Sequence, residues 1–366
     1  MGSYFSKSKH TDRENLEHEI ARLRALNVVA NAKIDALRAH LMPANPAEAT
    51  CLEKIKAAKK SNDYENLVFE GGGTKGLAYC GALRILHQKG ILAKIRRYAG
   101  SSAGAITAAL LAVGYSAQEL EAIVSTTDFG AFVDDKTGVL RDAYSIFKDW
   151  GLAPGDYFYR YMGDLIGSKT GNPDISFGDL QKRTGKILVI TGTDLSSMRT
   201  SYYCPSLTPT MSVRQAVRIS MSIPFLFVPV RDEDGCYHVD GGLVDNYPIH
   251  AFDGAYPGDE RALLNLALSN PKTLGLKILT PEEEVGHAIT VKPQAIGSIK
   301  EFAMAIVSTL MVANERKHLK PSYWKRTLVI KVGDFPLTKF DLSQNEKLSL
   351  VQAGIKGAVR FFFEKE

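Results

Sequence analysis

Short apolar runs alternate with helix-period stretches along most of this 366-residue chain. Leu67-Val68-Phe69 reads as a buried strand, followed by Gly71-Gly72-Gly73 and Thr74-Lys75-Gly76. Leu77, Gly81, Leu83 and Leu86 then keep a helical spacing, and Tyr98-Ala99 starts a second strand that breaks at Gly100-Ser101-Ser102-Ala103-Gly104. An alanine-rich helix is expected from Ala105 to Val113, a buried strand over 186–193, a helix over 209–221, and strands over 225–230, 236–239, 262–267 and 327–332. Ser176 to Gly185 reads as a turn and short helix, and the aromatic stretch 152–165 reads as core with some capacity to line an apolar pocket. Thr273 to Val291 is acidic and reads as a mobile loop. Two late helices carry apolar stripes, Ile299, Phe302, Ile306, Leu310 and Met311 in one and Leu348, Val351, Ile355, Val359 and Phe362 in the other. Strands alternating with helices predict an α/β fold, a mostly parallel or mixed central sheet between helices.

The N-terminal part is patterned differently. Leu16, Ile20, Leu23, Asn27, Ala30, Ile34, Leu37 and Leu41 alternate in steps of four and three. Isoleucine and leucine at the two core positions with one asparagine fit a parallel two-stranded coil, which would make residues 12–42 a homodimer contact. The same stripe also fits a helix packed on its own catalytic domain. Pro43 to Pro46 ends it, and Ser61-Asn62-Asp63 reads as a linker. The expected organisation is a flexible terminus (1–10), a helical appendage (11–60), and a domain over 64–366 with its core at about 66–291 and a helical part at 292–366. The start, Met1-Gly2-Ser3-Tyr4-Phe5-Ser6, fits the N-myristoylation pattern at Gly2, with Lys7 and Lys9 behind it. A plain disordered start reads equally well. One myristoyl chain holds a membrane only marginally, so a basic second signal would be needed.

The chemistry gathers at the glycine and serine turns. Gly100-Ser101-Ser102-Ala103-Gly104 matches G-x-S-x-G between a strand and a helix. A hydroxyl at such an apex stands above the sheet edge, at a helix N-terminus that favours negative charge. A serine attacking a carbonyl needs donors for the oxyanion, and Gly71, Gly72 and Gly73 offer backbone N–H groups with no Cβ in the way. Lys75 adds positive charge close by. Asp240-Gly241-Gly242 ends another strand-like run, from which an aspartate can reach across a sheet edge to a serine; Asp-Gly is also an ordinary turn pair. The glycine run lacks the Gly-Lys-Ser/Thr ending of a phosphate loop and the acidic residue of a dinucleotide fold.

Composition narrows the classes. The net charge is +5, and residues 1–60 hold most of it with eleven Lys/Arg against seven Asp/Glu. No basic stripe with interleaved aromatics suggests nucleic acid, although the N-terminal charge suits an anionic membrane surface. The cysteines, Cys51, Cys80, Cys204 and Cys236, form no C-x-x-C pair, which argues for a reducing compartment and against a zinc site. No secretory signal and no membrane-spanning run is visible.

These motifs together resemble the patatin-like phospholipase family. The resemblance is carried by Gly71 to Gly76, Gly100 to Gly104 and Asp240-Gly241-Gly242, with two further similar stretches, Arg218 to Pro224 and Val244 to Pro248. It implies a three-layer α/β/α domain and a Ser-Asp dyad with Ser102 as nucleophile and Asp240 as base. It also implies an oxyanion hole from Gly71 to Gly73, with Lys75, Gly76, Gly100, Gly104, Gly241 and Gly242 in support. No metal or cofactor is implied. Family members commonly have arginine where this chain has Lys75, so the charge is kept and a bidentate contact is not. The expected activity is fatty-acyl ester hydrolysis of a phospholipid or other acyl lipid at a membrane surface. The expected place is the cytoplasm, peripheral to membranes, in the protein's own cell or a host's; some relatives require a host protein activator, and the sequence leaves open whether this chain does. Three alternatives stand beside it: a Ser-His-Asp esterase, for which His287 is the best placed of His238, His250, His287 and His318; a membrane-associated dimeric scaffold without catalysis; and acyl transfer to an acceptor other than water.

Overall fold

The computed structural model describes residues 63–133, 150–254, 269–279, 321–333 and 339–363, with short pieces at 296–297, 301–302, 305–311 and 335. Gly2, the 12–42 heptads, the 47–60 helix, the 262–267 strand, His287 and His318 lie outside them.

The chain builds a mixed sheet flanked by helices. Strand β1 (Asn66–Phe69) and strand β2 (Arg97–Gly100) pair in parallel, joined by helix α1 (Ala78–Gln88). Helix α2 (Ala103–Val113) leads from the serine turn to α3 (Ala117–Thr126), whose capping box is made by Ser116 and Glu119. Next come β3 (Gly151–Ala153), α4 (Asp156–Thr170), α5 (Phe177–Thr184) and the long β4 (Ile187–Asp194). Strand β5 (Arg199–Tyr203) folds back on β4, and α6 (Val213–Ser220) precedes β6 (Phe225–Phe227), β7 (Val230–Arg231) and β8 (Tyr237–Asp240). Strands β9 (Thr273–Leu279) and β10 (Thr327–Lys331) and helix α7 (Gln344–Phe363) complete the described chain.

The sheet order is β10-β9-β1-β2-β4-β8-β7, with β5 also on β4 and β3 paired separately with β6. Strands β10, β9, β1, β2 and β4 are parallel neighbours; β8 runs antiparallel to β4. Parallel strands covered on both faces are apolar throughout. Leu67, Val68 and Phe69 are fully buried, and Val68, Ala99 and Val189 form one core with Tyr247, Ile249 and Phe252. Each such side chain contributes about 1.5–3 kcal/mol by leaving water.

Three expectations are corrected. The stretch from Thr273 is not a loop: Thr273–Leu279 is a central strand between β1 and β10. Its apolar pattern is broken by Gly275, where a Cβ would overlap the Tyr247 hydroxyl, and by Lys277, which is 2% exposed and ion-paired with Glu70. The stripe read over 299–311 does not face inward as a whole, because Phe302, Ile306 and Leu310 are exposed while Val307 and Met311 are buried. The expected strand over 225–230 is likewise two short pieces, β6 and β7.

The register sets the height of the functional loops. Gly100 pairs with Ile190, and Gly192 pairs with Asp240. Ser102 and Asp240 therefore stand level, each two positions past the Gly100–Ile190 rung. Phe69 is level with Gly100, so the glycine loop begins at the same edge.

Candidate active site

Ser102 is the apex of the turn between β2 and α2, at φ 50° and ψ −123°. Positive φ strains any residue with a Cβ, and here the surroundings hold it. Gly104 packs so closely that a Cβ there would overlap the carbonyl oxygens of Phe69 and Glu70. The Ser102 N–H donates to Ser220 Oγ at 2.9 Å, and its carbonyl accepts from Ala105 N at 2.9 Å as the first turn of α2 closes. The serine is 5% exposed and lines a cleft.

Asp240 ends β8 with 1% exposure. Its Oδ1 accepts the Gly242 N–H at 2.7 Å, and its own N–H donates to Ser222 O at 2.9 Å. Among the described residues no donor meets Oδ2 in ordinary hydrogen-bond geometry, and the Ser102 hydroxyl neighbours the carboxyl. Burial pushes the carboxyl up to about 7, against the opposing pull of that hydroxyl and the Gly242 amide. A carboxyl titrating near neutrality is matched to taking and returning a proton.

The glycine loop is only partly open. Gly71 is held on both sides, its N–H donating to Asn246 O at 3.0 Å and its carbonyl accepting from Asn246 Nδ2 at 3.3 Å. Its amide is therefore committed, which removes it from the expected set of oxyanion donors. Among the described residues the N–H groups of Gly72 and Gly73 donate to nothing. Gly71 stands beside the nucleophile: a Cβ there would be 3.0 Å from Ser102 Cβ. Lys75 lies along Gly72 without an ion pair among the described residues. Gly76 packs on Ala103, Gly100 on the Gly104 backbone, Gly241 on Thr191, and Gly242 on Met311.

Several functional side chains carry no signal of their own in the sequence. The Ser220 hydroxyl holds Ser102, and two residues later the Ser222 backbone carbonyl holds Asp240, so the end of α6 and the residues after it grip both. Arg218, 6% exposed, secures that stretch by donating to Ser222 Oγ, to Pro154 O at 2.5 Å and to Val228 O at 3.0 Å. Burial lowers its pKa to about 10. Behind the glycine loop, Glu70 pairs with Lys277 and accepts the Ile278 N–H at 2.7 Å. Only the similarity of the Arg218–Pro224 stretch to a family pattern pointed toward this region.

The two described candidate histidines, His238 and His250, are engaged elsewhere. His238 sits between Tyr203 (3.1 Å) and Asp232 (2.8 Å), and His250 lies against Tyr202 (3.2 Å) and Asp245 (3.5 Å). No cluster of three or more His, Cys, Asp or Glu among the described residues has metal-holding geometry. No helix among them is long and apolar enough to cross a membrane.

The cleft beside Ser102 has a cavity volume of about 100 Å³. Gly73 and Ser102 lie at one part of it, and Ile106, Leu110, Phe132, Phe158 and Phe227 supply apolar wall. Phe158 is thus both core, as expected of its aromatic stretch, and wall.

The sequence model of the patatin-like phospholipase family matches residues 67–253. The uncharacterised protein YqhO of Bacillus subtilis is 31% identical over 301 residues, covering 80% of this chain and 95% of that one. Triacylglycerol lipase ptl3 of Schizosaccharomyces pombe is 33% identical over 172 residues, covering 44% of this chain and 33% of that one. The crystal structure of VipD from Legionella pneumophila superimposes with a TM-score of 0.52 at 19% identity, covering 82% of this chain and 67% of that one; it shares the fold.

Proposed function

The chain belongs to the patatin-like phospholipase family, and from that premise we propose that it is a metal-independent lipid acyl hydrolase working through Ser102 and Asp240. One observation carries the reading. A serine held at positive φ over a helix N-terminus neighbours a buried carboxyl pushed up to about 7, at the wall of an apolar cleft.

In the proposed cycle Asp240 Oδ2 takes the Ser102 proton as Oγ attacks the acyl carbonyl carbon. The oxyanion accepts the Gly72 and Gly73 N–H groups, and the positive end of α2 adds to its stabilisation. Collapse expels the alcohol oxygen, which takes the proton back from Asp240. Water, deprotonated by Asp240, then attacks the acyl-enzyme, and Asp240 returns that proton to Ser102 Oγ as the fatty acid is released. The apolar wall suits an acyl chain, with a phospholipid or lysophospholipid headgroup left toward solvent near Lys75. Action at a membrane surface, a host activator, and dimerisation through residues 12–42 belong to the same reading.

The experiment is fatty-acid release from mixed phospholipid vesicles by the parent chain, Ser102→Ala and Asp240→Asn. Release that disappears in both variants supports the dyad, and the products name the lipid class. Release that survives in Asp240→Asn and is lost in His287→Ala would replace the dyad by a Ser-His-Asp triad. A silent parent that wakes on adding eukaryotic cytosol would be a regulated hydrolase; continued silence would favour the scaffold.

A further inference from the structure

Among the described residues four non-glycine positions have positive φ: Ser102, Trp150, Met198 and Phe225. The last three are large apolar side chains, and all are exposed, at 50%, 86% and 38%. Glycine or asparagine would suit the backbone better, and a polar residue would suit the exposure better. The same pair of misfits recurs at three positions.

The register places these residues at one end of the molecule. Asp194 pairs with His238, two positions outward from the Gly192–Asp240 rung, and the Leu195 N–H donates to Tyr237 O at 2.9 Å. Leu195 and Met198 therefore sit in a turn that projects beyond the catalytic level. Trp150 packs its ring on Tyr237 with centroids 4.7 Å apart. Tyr237 is three residues from Asp240 along β8, about 10 Å further out. Gly151, next to Trp150, pairs with Phe225 at the start of β6, and Phe227 of the same strand lines the cleft. The exposed rim is thus continuous with the cleft wall. Across the Asp240 turn, Met311 packs on Gly242 while Ile306 and Leu310 are exposed.

Charge selects the partner. The rim exposes Asp232, Glu233 and Asp234 in the β7–β8 turn against Arg231 and, next to Met198, Arg199, so no excess of positive charge draws this end to an anionic surface. We propose that the rim of Trp150, Leu195, Met198 and Phe225 seats the molecule on a zwitterionic lipid surface, so that an acyl chain passes to Ser102 without crossing bulk water. This rests on the lipid-hydrolase reading.

The chain carries its own control, since of its two tryptophans Trp150 lies on Tyr237 beyond the catalytic level and Trp324 lies toward the other edge of the sheet. Trp324 precedes β10, whose Thr327 pairs with Gly275 near the amino-terminal edge of the sheet. Full-length Ser102→Ala protein, which leaves vesicles intact, would be made with Trp324→Phe or with Trp150→Phe. Each would be mixed with phosphatidylcholine vesicles bearing brominated or ordinary acyl chains. The expected result is bromine quenching of Trp150 emission and none of Trp324. Quenching of Trp324 alone, or of neither, overturns the proposal, as does a requirement for anionic lipid. Met198→Asn, which tolerates positive φ, should weaken vesicle partition about fivefold and leave hydrolysis of a water-soluble short-chain ester unchanged. Equal partition would count against the rim. Short-chain ester hydrolysis by the parent separates the two readings: if it persists while quenching fails, the docking surface falls and the hydrolase stands; if it is absent even with eukaryotic cytosol added, the hydrolase reading itself fails.

Discussion

Glu70 and Asp240 are carboxylates of nearly equal burial, 2% and 1% exposed, one just after β1 and one at the end of β8 in the same sheet. Each accepts a backbone N–H at 2.7 Å, from Ile278 and from Gly242. They differ in the next partner. Glu70 meets the ammonium of Lys277, whereas Asp240 meets the Ser102 hydroxyl and, among the described residues, no cation. A buried carboxylate with a cation is fixed as a charge and serves as an anchor, here for the loop that starts at Gly71. A buried carboxylate without one is poised to change its charge. The same burial thus gives a strut in one place and a base in the other, and the neighbouring cation decides which.

The largest expected effect breaks the comparison on the Asp240 side. Asp240→Asn keeps the shape and removes the base, so ester hydrolysis should fall about a thousandfold or more, with the circular dichroism spectrum unchanged. On the Glu70 side, Lys277→Met strands a buried charge and should destabilise the protein by about 3–5 kcal/mol in urea unfolding. Adding Glu70→Gln should recover much of that loss.

The pH dependence sharpens the contrast. The folded pKa of Asp240 lies above its ordinary value of 3.8, at about 7. Its stabilising contribution is therefore fully present below pH 3.8 and is lost as pH rises through about 7. Relative to the parent, Asp240→Asn should gain stability across that window, by a few kcal/mol on the order of the pKa shift. Turnover of a soluble ester by the parent should rise over the upper part of the window and level off above it. A flat profile between pH 5 and 9 would remove Asp240 as the base.

The smallest effect tests the surroundings. Ser220→Ala leaves the Ser102 N–H without its acceptor, so kcat should drop roughly tenfold, on the order of 1–2 kcal/mol, with KM little changed. Ser220→Cys should recover part of it. Equal changes in kcat and stability would make Ser220 merely structural.

Much of the frame was legible because it is local. Leu67-Val68-Phe69 and the run over 186–193 are contiguous and apolar, and the glycine and serine turns occupy the strand ends where chemistry was expected. Strand β9 was not legible, because its lysine and glycine answer to Glu70 and Tyr247, which lie far away in sequence. The roles of Ser220 and Ser222 were hidden for the same reason: a serine ending a helix is unremarkable until the nucleophile's amide arrives beside it. Commitment of the Gly71 amide to Asn246 likewise depends on a distant backbone. Helical spacing revealed the 299–311 stripe, but spacing cannot say which side of it faces inward.

The position of β9 sets a rule for anyone who trims this protein. The family-matched stretch stops at residue 253, and Thr273–Leu279 lies beyond it. A fragment cut at that boundary would keep every signature motif. Yet it would turn β1 from a central strand into a bare edge, and Glu70 would lose both Lys277 and the Ile278 amide. An exposed flat edge of Leu67, Val68 and Phe69 is a template for aggregation. Such a fragment should be recovered from inclusion bodies, whereas one ending after α7 should be recovered folded.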